Sequence, residues 1–212
     1  MLKILRIYYN YLLFRLGKRK VLPSKFVNRI PVKECGEELV PFQDFQVRKT
    51  ISKMLTKAET LLPDGYGIKL LDGYRSADEQ TRRRQALLEE IAIKFPEKTP
   101  DEREQLANQR IAKKSGHHTG GAVDVTLLYN HQEVDCGTRY LEFSPLTPTD
   151  AQNLTNIQLK NRKILFQTMT NAGFVNYPLE WWHYCYGDKM YAAYKCQASA
   201  QYGYIENNTM NP

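Results

Sequence analysis

The sequence predicts an α+β fold, a single compact domain with a central antiparallel sheet flanked by helices, plus a basic N-terminal helical extension. Three observations lead there. Capped helical stripes dominate the first half of the domain, and strand-like segments follow one another across short turns later in the chain. That order is not the regular strand–helix alternation of a doubly wound sheet. No Gly-rich phosphate loop occurs, which removes the usual nucleotide-binding α/β folds.

The elements follow in order. Apolar residues at Val47, Ile51, Met54, Leu55, Ala58, Leu61 and Leu62 make a helical stripe that ends at Pro63-Asp64-Gly65. Residues 67–71 read as a short buried strand closed by Asp72-Gly73. Ser76 and Glu79 form a capping-box pattern, so a helix should run over 77–93. Thr99, Pro100 and Glu102 repeat that logic with Pro at the first helical position, which starts a helix over 100–113. The β-branched run Ala122 to Tyr129 is a strand, and Val134 begins a return strand after a turn near Asn130-His131. Residues 157–171 are helical, with Gly173 placed as a left-handed cap. Residues 174–177 and 181–186 read as closing strands, and an aromatic segment from Tyr191 as one more.

The domain limits follow from charge. Residues 1–33 carry nine Lys or Arg and no acid, whereas the other 179 residues hold 21 basic and 23 acidic side chains. The net +7 therefore belongs to the extension, and the body over 34–205 is nearly neutral, with 206–212 as a tail. A nucleic-acid-binding body would carry its positive charge over the folded surface, so nucleic acid is not expected as a partner. Leu2, Leu5, Tyr9, Leu12 and Leu16 recur at helical spacing beside Lys3 and Arg6. Two readings stand: a helix over 1–20 lying peripherally on an anionic membrane, or a basic helix packed on the domain or frayed. The longest uncharged stretch there, Ile7 to Phe14, is eight residues, short of the roughly 20 that a membrane span needs. Arg6 and Arg15 bracket too short an apolar core for a cleaved secretory signal. Cys35, Cys136, Cys185 and Cys196 are widely spaced, with no CxxC pair to suggest a disulfide framework or zinc ribbon. A cytoplasmic location is the default, with membrane association or the periplasm as alternatives.

Chemistry concentrates in three places: Gly73-Tyr74-Arg75, the run Ser115 to Asp124 (SGHHTGGAVD), and Glu180-Trp181-Trp182-His183. Imidazole nitrogens and carboxylate oxygens are ligands for zinc, and a catalytic site keeps one position open for water. His117, Asp124 and His183 would supply two nitrogens and one oxygen. Seven positions put His117 and Asp124 on opposite faces of one straight strand, so Gly120-Gly121 must turn the chain between them. Likewise Glu180 belongs on the turn after Pro178, with His183 on the strand. Each residue also has a plain structural reading. His183 could be a hydrogen-bonded core residue, His117 and His118 surface loop residues, and Arg75 half of a surface salt bridge. Asp124 resists such a reading, because a carboxylate among Ala and Val is costly to bury without a metal or an Arg.

The pattern Ser115-x-His117-x-x-Gly120-x-Ala122-x-Asp124, followed by Glu180-x-x-His183, resembles the zinc D,D-peptidase family of VanX-type D-alanyl-D-alanine dipeptidases. Asp72-Gly73-Tyr74-Arg75, Gly137-Thr138 and Tyr186-Gly187-Asp188 extend the resemblance in the family's order over residues 45–190. It implies a compact α+β domain holding one Zn2+ per chain on His117, Asp124 and His183. Glu180 is then the general base on the water that zinc activates, and Arg75 assists the transition state. The implied substrate is a D-amino-acid dipeptide or a peptidoglycan-derived peptide, with Ser115, Tyr74, Glu142 and Trp182 as candidate contacts. Trp181 and Trp182 would wall the pocket, and His118 would be solvent-facing or support a ligand.

One departure bears on specificity. The family holds the dipeptide's free amine with an acid shortly after Gly-Thr, where this chain has Leu141 followed by Glu142. Either Glu142 takes over or amine recognition changes. The function expected is D-alanyl-D-alanine hydrolysis, the alternative a D,D-carboxypeptidase or peptidoglycan endopeptidase on the same scaffold. A zinc-stabilised binding module is the reading from another class, although it would need neither Glu180 nor Arg75. Oligomeric state is left open by the sequence.

Overall fold

The computed structural model describes residues 14, 21–142 and 144–205. The amphipathic pattern expected over 1–20 and the tail over 206–212 fall almost wholly outside them. Among the described residues no helix is long and apolar enough to cross a membrane.

A short helix α1 (Ser24–Val27) is followed by a hairpin, β1 (Leu39–Phe42) and β2 (Phe45–Arg48). Val47 and Arg48 pair with Val40 and Leu39 in that hairpin, so helix α2 spans Lys49–Thr60 and starts two residues later than its stripe predicts. The Arg48 N–H donates to the Gly120 carbonyl at 3.1 Å, a tertiary bond that holds this residue extended. The hairpin itself was not foreseen. Its turn rests on Gln43 in the left-handed region, a position without a Gly or Asn signal.

The main sheet takes its strands in the order β3 (Tyr66–Asp72), β4 (Ala122–Tyr129), β7 (His183–Cys185) and β6 (Val175–Asn176), antiparallel throughout. Strand β5 (Gln132–Glu133) pairs with the far end of β4 through the turn at Asn130-His131, both at positive φ. The return strand is thus shorter and earlier than expected, and Val134 only adds an N–H donated to the Leu127 carbonyl at 3.1 Å.

One face of this sheet is the core. Ile68, Leu70, Val123, Val125, Leu127 and Tyr184 pack there with Ile51 and Leu55 of α2 and Leu165 and Met169 of α5 (Asn156–Ala172). Each fully buried aliphatic side chain contributes about 1.5–3 kcal/mol relative to exposure. Helices α3 (Ala77–Lys94) and α4 (Pro100–Arg110) share a smaller cluster of Leu87, Ile91 and Ala107. Thr99 and Glu102 complete their reciprocal capping box. At Ser76 only half of the expected box forms, because the Glu79 carboxylate turns to Arg82 and Arg83 instead.

The aromatic segment near Tyr191, expected as a strand, is helix α6 (Lys189–Tyr194). Asp188 accepts the Tyr191 N–H at 2.7 Å as its N-cap, and Ala192-Ala193 favours the helix over the strand. All four cysteines are free thiols.

Candidate active site

The second face of the sheet carries the chemistry. Asp124 lies directly across β4 and β7 from His183, and across β3 and β4 from Asp72. Residues paired this way share a face, so one row across three strands presents Asp72, Asp124 and His183 together. Ile68 and Leu70 point into the core, and simple alternation would send residue 72 there too. A register shift between Leu70 and Asp72 re-aims Asp72 to the site.

His117 reaches this row from a 3₁₀ turn, Gly116–Thr119, which ends at Gly120 in the left-handed conformation (φ 69°). A Cβ on Gly120 would also stand 2.6 Å from Leu39 Cδ2, so the predicted Gly turn is required by both backbone and packing. Ser115 caps the turn by accepting the His117 N–H at 3.3 Å. His118 closes the same turn, its Nδ1 accepting the Ser115 N–H at 2.9 Å. It is buried, not solvent-facing, and its ring packs edge-on against Tyr204.

The three candidate ligands are buried, and each offers one donor atom within 4.8 Å of the others. His183 Nδ1 lies 2.8 Å from Asp124 Oδ1, and His117 Nε2 lies 3.4 Å from Asp124 Oδ2. Ligands about 2.0–2.1 Å from a tetrahedral zinc stand roughly 3.3 Å apart, so the set fits such an ion after small adjustments. The other nitrogen of His117, Nδ1, lies 2.7 Å from the Gly73 carbonyl. As donor to that oxygen, Nδ1 carries the proton and leaves the Nε2 lone pair for a metal.

Burial alone would raise the Asp124 pKa, but the charges and hydrogen bonds of His117 and His183 outweigh it and hold the carboxylate ionised. Burial lowers that of His183, yet the hydrogen bond and charge of Asp124 carry it up to about 9 when no metal is bound. Glu180 sits on the expected turn, donating its N–H to the Tyr177 carbonyl, with Oε2 3.9 Å from His183 Nδ1. Its side chain is 16% exposed, toward a cavity of about 310 Å³ shared with His117, Asp124, His183 and Arg75. Burial pushes its carboxyl up to about 7.

Arg75 is buried, contrary to a surface salt bridge. It pairs with Asp72 and donates to Gln80 Oε1 at 2.5 Å, while Arg83 approaches the same Asp72 oxygen at 2.7 Å. Ser115 and Trp182 also line the cavity. Tyr74 does not; its backbone N–H is bound to Gln46, and its half-buried side chain lies elsewhere. Trp181 turns away, donating through Nε1 to Thr138 Oγ1 at 2.8 Å.

Glu142 lies outside this cavity. Its carboxylate accepts the Arg139 N–H at 3.1 Å on its own turn and lines a neighbouring cavity. Leu141, at positive φ, lines the cavity that holds Glu180 and Arg75. Sequence reasoning missed Tyr140, whose hydroxyl donates to Asp124 Oδ2 at 2.9 Å and lies 3.3 Å from Asp72 Oδ2. It also missed Gln80, Arg83 and Tyr177, which carry no local signal and arrive only through helix and loop packing.

A D-alanyl-D-alanine dipeptidase of Enterococcus faecium is 31% identical over 162 residues, 71% of this chain and 80% of that protein. The fold is similar to a D,D-pentapeptidase VanY from a VanB-type vancomycin resistance cassette, solved in complex with Zn(II). There the TM-score is 0.51 at 19% identity, over 80% of this chain and 90% of that one. A structure of VanYB in complex with D-alanine-D-alanine gives a TM-score of 0.51 at 17% identity, covering 76% and 84%. Residues 41–200, from the β1 strand to beyond the last candidate ligand, match the family model described as peptidase M15, D-ala-D-ala dipeptidase, and the chain belongs to that family of metallopeptidases.

Proposed function

We propose that the chain is a zinc-dependent dipeptidase that hydrolyses D-alanyl-D-alanine to free D-alanine, with one zinc on His117, Asp124 and His183. The observation that carries this reading is the convergence of two distant stretches of chain, 115–124 and 180–183, on one buried donor set, with Glu180 and Arg75 in the same cavity. The Enterococcus faecium relative and the VanY structures with Zn(II) and with D-alanine-D-alanine support it. When bound, zinc supplies Lewis acidity that activates water and polarises a peptide carbonyl.

The chain's own residues do the rest. His117 presents Nε2 because Gly73 holds Nδ1, and Tyr140 holds the Asp124 carboxylate in place. Glu180 takes a proton from water and hands it to the leaving amine. Burial raises this carboxyl above the ordinary carboxylate range in the metal-free protein, a direction that makes it a better proton acceptor from water. Arg75, fixed by Asp72 and Gln80, offers a positive charge to the developing oxyanion. The cavity of about 310 Å³ is at the lower end of the range for ligand sites and has room for a dipeptide.

One observation favours a second reading, a D,D-carboxypeptidase or endopeptidase. With Leu141 on the cavity and Glu142 off it, that loop brings no carboxylate to a free amino group. Hydrolysis of D-Ala-D-Ala, L-Ala-L-Ala and N-acetyl-D-Ala-D-Ala, with and without chelator, separates the two. The dipeptidase reading expects chelator-sensitive cleavage of the free D,D-dipeptide alone. Equal cleavage of the acetylated peptide moves the assignment to the second reading. Glu180→Gln should abolish turnover while one zinc per chain stays bound; undiminished turnover overturns the mechanism.

A further inference from the structure

We infer that residues 22–28, which precede the stretch matched by the family model, form a fixed wall of the catalytic cavity that sets how long a peptide it accepts. The inference rests on reading the cavity as the peptide-cleaving site. Leu22, Ser24, Val27 and Asn28 line the same cavity as Glu180 and Arg75. The family model begins only at residue 41, so this wall is supplied from outside the matched region.

The segment is fastened at both ends. Leu22 is 4% exposed, and its N–H donates to the Tyr194 hydroxyl at 3.3 Å. The Asn28 carbonyl accepts from Lys189 Nζ at 3.0 Å, and α1 packs against α6. Further on, the Ala200 N–H donates to the Pro31 carbonyl and the Lys33 N–H to the Ala200 carbonyl, each at 2.8 Å. Helix α6 follows β7 by a short turn, so the wall is tied to the strand that carries His183.

The side chains it gives the cavity are neutral. They offer no ion pair to a charged end of a peptide, and Leu22 and Val27 act through the volume they occupy. These side chains form one part of the lining of a cavity of about 310 Å³, so a peptide extended toward them meets the volume they hold.

Two opposite variants test this in the full-length, zinc-loaded protein. Val27 is half-buried and Asn28 exposed, so neither is a core position. The double variant Val27→Gly, Asn28→Gly should raise kcat/KM for diacetyl-Lys-D-Ala-D-Ala relative to D-Ala-D-Ala by about tenfold, the scale at which pocket volume discriminates. Val27→Trp should raise KM for D-Ala-D-Ala about fivefold or more with kcat less affected. The affinities of the same two peptides for the Glu180→Gln protein, measured by calorimetry, should shift in the same directions. Zinc content and melting temperature verify folding. A length preference unchanged in folded variants overturns the proposal. If the native protein cleaves both peptides equally, the dipeptidase reading fails while the ratio change still judges the wall. If neither peptide binds, both readings fall.

Discussion

Tyr140 donates its hydroxyl to Asp124 at 2.9 Å, and this bond orients a carboxylate that two imidazoles also approach. Burial and the adjoining Asp124 and Asp72 charges raise the phenol pKa, so Tyr140 stays a donor at any working pH. Tyr140→Phe should therefore weaken zinc binding about 10- to 100-fold, the usual cost of losing a group that orients a ligand. Competition against a chromophoric chelator reads this directly, and an unchanged affinity would remove Tyr140 from the site.

Arg75 is held by Asp72 and Gln80 in a fork that an ammonium group cannot reproduce. Arg75→Lys and Arg75→Ala should both lower kcat by on the order of 100- to 1000-fold, with KM changed much less. A loss confined to KM would mean that Arg75 binds substrate and transition state equally.

Without metal, stability should fall as pH rises. Glu180 is raised from 4.5 to about 7, so its contribution is complete below 4.5 and lost as pH passes 7. His183 is raised from 6.5 to about 9, which extends the loss through the interval between those values. Asp124 is lowered, and its contribution disappears only in acid. Urea midpoints of the chelator-treated protein at about pH 5, 7 and 9 should descend in that order, and Glu180→Gln should flatten the first interval. A flat profile would contradict the burial of Glu180.

Gly73 has no room for a side chain, since a Cβ there would stand 2.7 Å from the Gln46 carbonyl and 2.9 Å from Phe45 Cβ. Gly73→Ala should cost about 1–3 kcal/mol by overpacking. It should also displace the carbonyl that orients His117, so zinc affinity should drop along with the denaturation midpoint. A midpoint loss with zinc binding intact would separate the packing role from the ligand role.

Much of this protein was legible in residue order. Ser76, Thr99 and Gly173 mark helix ends by chemistry that acts within one turn, and β4 declared itself through a β-branched run. His117, Asp124, Glu180 and His183 stand out because a buried carboxylate beside imidazoles is costly without a metal. What only the folded chain decided depends on contacts between segments far apart. The bulge that turns Asp72 to the site, the hydroxyl of Tyr140, the burial of Arg75 and the turning away of Glu142 leave no local pattern. The same holds for the hairpin that claimed Val47 and Arg48, and for residues 22–28, whose place beside Glu180 comes from bonds to Tyr194 and Lys189. Local propensity and periodicity set which segments form, whereas register and tertiary packing set which side chains share a cavity.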